Sequence, residues 1–150
     1  MAPQWGPSVW KAMHYIALAY PKDPSFAEMR HYWAFFTGLG NVIPCAYCAA
    51  HYKKHISSMP IDTFLQEGKL FEWTVEIHNM VNKENGKPVV SPDEAFLLLL
   101  DDNCNCPPDL PKKKGNYRKK LARAIKTIAK ENPGMSASER MRLAHILAKT

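Results

Sequence analysis

At 150 residues and 46% hydrophobic content, the chain is long enough to bury one globular core and carry an appendage, so it has no need of disulfides merely to fold. The net charge of +6 hides a division, because residues 1–111 carry eight Lys/Arg against twelve Asp/Glu while residues 112–150 carry twelve against two. The four cysteines stand as two close pairs, Cys45/Cys48 and Cys104/Cys106, which speaks against a stapled secreted module and for redox or metal chemistry.

Apolar residues recur at three- and four-residue steps and β-type alternation is scarce, so the expected fold is all-α: a four-helix bundle with a short fifth helix, followed by a basic helical extension. The first helix is expected over residues 7–20, stopping before Pro21, with Val9, Trp10, Met13, Ile16, Ala17 and Tyr20 along its apolar stripe. The second starts at Ser25 as N-cap, with Glu28 at the capping-box position, and runs past Trp33 and Phe36 to Gly38 and Gly40. The third, residues 44–56, takes Pro44 in its first turn and carries the paired thiols. A turn around residues 62–66 leads through Gly68 to the fourth, residues 70–85, closed by Gly86 and Pro88. Ser91-Pro92-Asp93-Glu94 then reads as N-cap, proline and acidic first turn of a fifth helix ending near Leu100.

Three prolines within residues 107–111 cannot continue a helix, and they mark a linker. The expected organisation is therefore a core over residues 1–103, a C-x-C and Pro-rich segment over 104–111, and a tail over 112–150 holding basic amphipathic helices at 117–130 and 138–149. The longest apolar run, Ala95 to Leu100, is far too short to span a bilayer, and no signal or transit pattern precedes Trp5, so a cytoplasmic location is the default expectation.

Cys45 and Cys48 lie at i and i+3 at the start of a helix, close enough to bridge. The unpaired N–H groups and positive dipole end of that first turn stabilise a thiolate on whichever sulfur lies nearest. Cys45, Cys48, His51 and His55 also spell C-x2-C-x2-H-x3-H, which suggests zinc. One continuous helix, however, strings those four along a stripe about 15 Å long, too extended to surround a single ion. A zinc site that instead gathers all four cysteines stays open as an alternative. Cys104-Asn105-Cys106 would close a small strained ring, and strain makes a disulfide a better oxidant and a poorer staple.

Trp10 and His14 stand one turn apart, an arrangement that usually signals nothing more than core. His78 and Asn79 with Asn82 are more telling, since polar residues are poor filler between Trp73, Ile77 and Val81. Lys83 and Lys87 offer charge for a phosphate, though lysines at a helix end often meet only solvent.

Trp5-Gly6-x3-Trp10-x3-His14, Pro44-Cys45-x2-Cys48-x2-His51-Tyr52 and Trp73-x4-His78-Asn79-x-Val81-Asn82-Lys83-x2-Gly86-Lys87-Pro88, in this order, resemble the Erv/ALR family of FAD-linked sulfhydryl oxidases over about residues 5–106. The resemblance implies a helical bundle that holds FAD, as a homodimer, and oxidises the dithiols of protein clients, with oxygen as electron acceptor and hydrogen peroxide as product. It implies Cys48 as the thiol against the flavin and Cys45 as the one exchanging with incoming dithiols. Cys104 and Cys106 become a shuttle pair. Trp5, Gly6, Trp10, His14, Cys48, Trp73, His78, Asn79, Val81, Asn82, Lys83 and Lys87 match positions around the cofactor, and no metal is implied.

The chain departs from the family in lacking the additional C-x16-C staple, and its tail matches nothing in the family. The short N-terminus is similar to compact virus-encoded members, for which the host cytoplasm or the virion is the compartment. The basic tail suits docking of an acidic partner or an added layer of helices. It has a single aromatic, Tyr117, for base stacking. A zinc-stabilised interaction module and a basic nucleic-acid or assembly protein are the competing readings.

Overall fold

The computed structural model describes residues 4–100 and 116–149, and among these every element is helical. They fall into two compact units divided between Val90 and Ser91. The first holds α1 (Trp5–Leu18), α2 (Phe26–Leu39), α3 (Ala46–Ser58), α4 (Ile61–Gln66) and α5 (Leu70–Glu84); the second holds α6 (Pro92–Leu100), α7 (Asn116–Glu131) and α8 (Ala137–Lys149). The prolines of 107–111, together with Cys104 and Cys106, lie outside the described residues.

Local chemistry sets the helix ends. Ser25 and Glu28 form a reciprocal capping box, the serine hydroxyl accepting from the Glu28 N–H at 3.2 Å while the Glu28 carboxylate accepts from the Ser25 N–H at 2.8 Å. The same box recurs with Ser91/Glu94 before α6 and Ser136/Glu139 before α8. Gly86 (φ +64) closes α5: its N–H bonds the Lys83 carbonyl at 3.2 Å and the Lys87 N–H bonds the Asn82 carbonyl at 2.8 Å. A left-handed residue is required to turn the chain back in this way, and glycine takes it without a Cβ penalty.

Several boundaries differ from the sequence-based expectation. α1 begins at Trp5 and ends at Leu18; Pro7 sits inside its first turn, where N–H groups have no helical partner anyway. The expected turn at 62–66 is a helix, α4. Gly40 does not end α2 through a left-handed conformation, since its φ is −59°. A Cβ there would come 2.9 Å from Lys53 Cγ and 3.3 Å from Tyr52 Cδ1, so the glycine serves the close approach of α2 to α3.

In the first unit α5 is central, packing against α1, α3 and α4. Trp73, Phe36, Phe71, Met13, Leu70, Ile77 and Val75 are almost wholly buried. Trp73 meets Phe36 of α2 edge to face at 5.4 Å and donates its indole N–H to the Met59 carbonyl at 2.8 Å. Two buried tyrosines tie elements together, Tyr52 OH donating to the Phe36 carbonyl at 2.8 Å and Tyr20 OH to the Leu65 carbonyl at 3.0 Å.

In the second unit the basic helices bury apolar stripes, Leu121, Ile125 and Ile128 on α7 and Met141, Ala144 and Ala148 on α8. α7 packs against α8, and both contact α6. Arg140 of α8 reaches Asp93 of α6 at 3.3 Å. Among the described residues no helix is long and apolar enough to cross a membrane.

Candidate active site

Cys45 is the N-cap of α3, in an extended conformation (φ −102°, ψ 114°), and Pro44 precedes the cap instead of occupying the first helical position. The reason is local: the Cys45 sulfur can accept an N–H that the first turn leaves unpaired, and proline has no side-chain acceptor. The Cys48 N–H donates to Cys45 Sγ at 3.2 Å. Cys45 and Cys48 are joined as a disulfide, with their Cα atoms 5.2 Å apart, and both are half-buried at the N-terminal tip of the helix. The sulfur nearest the helix N–H groups is therefore Cys45, while Cys48 sits in the first turn beside the same positive dipole end.

A second cluster joins α1 to α5. His78 lies flat on Trp10, with ring centroids 4.2 Å apart and planes 1° from parallel. His14 Nε2 lies 3.0 Å from His78 Nδ1, and His14 Nδ1 lies 3.0 Å from Thr74 Oγ1. Thr74 donates its hydroxyl proton to the Phe71 carbonyl at 2.8 Å. A carbonyl only accepts, so this one bond sets the polarity of the whole ladder. The Thr74 oxygen must accept from His14 Nδ1–H, His14 Nε2 must accept from His78 Nδ1–H, and His78 Nε2 is left with a free lone pair.

Both imidazoles are neutral in this arrangement. Burial, aided by His78, pushes His14 down to about 4. Burial, aided by the charge of Lys87, pushes His78 down to about 4.

Trp5 and Gly6 open α1, and a Cβ at Gly6 would meet open space. Trp73 belongs to the core face of α5 that meets α2, whereas Thr74 and His78 face α1. Asn79 is buried and commits its side chain to the backbone of Val90, donating to the carbonyl at 2.8 Å and accepting from the N–H at 3.1 Å. Both groups would lose their partner in Asn79→Ala, which is expected to cost about 2 kcal/mol, read as a lower denaturant midpoint at unchanged slope. Val81 and Asn82 are half-buried in the last turns of α5, and Lys83 and Lys87 are exposed around its C-terminus.

Sequence reasoning missed Thr74 and Glu84. Thr74 precedes His78 by four residues, a face-sharing spacing that marks it as a partner. Glu84 is an acid in the last turn of α5, against the dipole, and its carboxylate instead accepts from His51 at 2.9 Å and His55 at 3.1 Å of α3. Those bonds hold it below the usual carboxylate range, His51 contributing most.

A flat heteroaromatic cofactor with a diphosphate needs a planar wall, neutral hydrogen-bonding groups and cations. The parallel Trp10/His78 pair, the free His78 Nε2, the Asn82 amide and Lys83 with Lys87 supply that donor set, so the residues present fit a flavin dinucleotide.

A helical bundle with a half-exposed disulfide capping one helix and a neutral imidazole–indole ladder joining two others defines a thiol–disulfide redox protein of the helical class. The chain belongs to the Erv1/Alr family, whose model matches residues 7–98. It is 32% identical over 120 residues, 78% of its own length and 80% of the other's, to a probable FAD-linked sulfhydryl oxidase of Acanthamoeba polyphaga mimivirus. A FAD-linked sulfhydryl oxidase ERV1 of Oryza sativa is 29% identical over 84 residues, and there the match spans 56% of this chain but only 43% of the longer plant protein. The crystal structure of the yeast Erv1 core superimposes with a TM-score of 0.57 at 26% identity, covering 62% of this chain and 78% of that one.

Proposed function

We propose that this protein is an FAD-linked thiol oxidase that forms disulfides in protein clients. The observation that carries the reading is the Cys45–Cys48 disulfide capping α3, in a chain of the Erv1/Alr family whose viral and plant relatives are named FAD-linked sulfhydryl oxidases. Trp10, His78, Asn82, Lys83 and Lys87 would hold the cofactor, which when bound takes two electrons from the reduced cysteine pair and passes them to dioxygen, giving hydrogen peroxide.

The chain's own part is thiol exchange. An incoming thiolate attacks Cys45 Sγ, the Cys45–Cys48 bond breaks, and Cys48 leaves as a thiolate in the first turn of α3, where the dipole favours it. The second thiol of the donor then attacks its own sulfur in the mixed disulfide, and Cys45 leaves. The Cys48 N–H already directed at Cys45 Sγ stabilises that second leaving group. The donor ends as a disulfide and the pair as a dithiol, so two electrons and two protons have moved. The neutral His14–His78 ladder holds the indole–imidazole wall in one orientation and adds no charge beside it.

Cys104 and Cys106 are assigned the shuttle role between client and Cys45. A homodimer belongs to the same reading and is supported by the exposed aromatic side chains Phe26, Trp33 and Phe35 of α2; sedimentation of the flavin-loaded protein tests it. The purified protein is expected to be yellow, with a band near roughly 450 nm. Cys104→Ser is expected to slow oxidation of a reduced protein client while sparing a small dithiol. A colourless protein that does not take up FAD, or equal client turnover in the variant, would remove the cofactor and the shuttle assignments respectively.

A further inference from the structure

His51 and His55 stand four residues apart on α3, and both turn their imidazoles toward one carboxylate oxygen of Glu84 on α5, at 2.9 and 3.1 Å. The ligand atoms of all three lie within 4.8 Å of one another. His51 is half-buried, with the Tyr47 ring 4.1 Å away, His55 is buried, and Glu84 is exposed, so the cluster is reachable from solvent on one side only. In the oxidised chain Cys45 and Cys48 are bonded to each other and contribute no ligand.

We propose that His51, His55 and Glu84 form a site for a divalent transition-metal ion, zinc by the character of its ligands, that links the redox helix α3 to α5. Two imidazoles at i and i+4 on one helix present their nitrogens to a common point, and a carboxylate from a neighbouring helix supplies the third ligand without any change of fold. Zinc–nitrogen and zinc–oxygen bonds of about 2.0–2.2 Å put neighbouring ligand atoms of a tetrahedron about 3.4 Å apart. The two contacts to Glu84 need to open by a few tenths of an ångström, and the two ring nitrogens, within 4.8 Å of one another, need to settle at the same spacing, which side-chain rotation supplies. Both histidines bind as neutral rings, each shifting its remaining proton to the other ring nitrogen, and Glu84 is already ionised. Three protein ligands leave the fourth position to water. The site stands apart from the oxidase reading, since it uses none of the residues assigned to the cofactor or to thiol exchange.

The test uses the full chain with Cys45–Cys48 oxidised, in a Cys104→Ser/Cys106→Ser background so that no thiol competes for the ion. Zn2+ is titrated against a chromophoric chelator, and Tm is followed with and without the metal. One equivalent per chain and a zinc-dependent rise in Tm are expected. His55→Ala removes a buried ring and can fail to fold, so the decisive variants are the half-exposed His51→Ala and the near-isosteric Glu84→Gln. Each should weaken zinc binding at least ~10-fold and abolish most of the Tm rise. Absence of saturable binding to the parent chain, or unchanged affinity in either variant, overturns the site.

Discussion

Replacing Cys48 with serine is expected to lower thiol-oxidation turnover at least ~10³-fold while leaving the helical core intact, because the sulfur that must leave and then be reoxidised is gone. The structure separates this chemical loss from a folding defect. The bond that caps α3 comes from the backbone N–H of residue 48, which serine retains, so the helix start is preserved. Cys45→Ser makes the complementary case. Serine is among the strongest N-cap residues, so that variant keeps the helix start, loses the cross-link as Cys48→Ser does, and should be no less stable than Cys48→Ser and equally inactive. Denaturant midpoints and turnover measured on both variants check the pair. Retained activity in Cys48→Ser would show that electrons leave the client by a route that does not use this disulfide.

Stability is expected to fall as pH drops from 6.5 toward 4, from the neutral ladder of His14 and His78. Each imidazole has its folded pKa at about 4, against an ordinary value of 6.5. Between those values the unfolded chain binds more protons than the folded one, so the stabilisation is complete above pH 6.5, declines as pH falls, and has run its course below about 4. For His14, which is almost fully buried, the linkage amounts to roughly 3 kcal/mol; the pair is hydrogen-bonded and titrates jointly, so a second such increment does not simply add. Glu28, Glu84 and Glu94 are held below their ordinary 4.5 by their partners and act only at the acid end of this range. Urea midpoints at pH 7, 5.5 and 4.5 should show the decline, and His14→Phe should flatten it. A midpoint that is constant over that interval would mean the ladder is protonated in the folded protein, contrary to the polarity that Thr74 imposes.

Much of the fold was legible because its signals act over one or two helical turns. Ser25 with Glu28, Ser91 with Glu94, and Gly86 are read from neighbours within a few residues, and the structure bears out each of them. The site was legible in part for the same reason: Cys45 and Cys48 are three residues apart and their pairing needs no knowledge of the rest of the chain. The register of α3 escaped by two residues, because a proline and a sulfur competed for the start and only the cap bond decides between them. Gly40 looked like a helix terminator, but its role depends on Tyr52 and Lys53 of another helix.

What the amino-acid order determined by itself was therefore an all-helical chain, the capping boxes and the glycine stop that bound some of its helices, the paired sulfurs at a helix tip and a basic, amphipathic final quarter. Only the tertiary structure decided that His14 meets His78 across 64 residues, that Glu84 gathers His51 and His55 from α3, and that Asn79 holds Val90. Capping and periodicity are satisfied within a few residues, whereas a buried polar group takes its partner from whichever helix packing brings within about 3 Å.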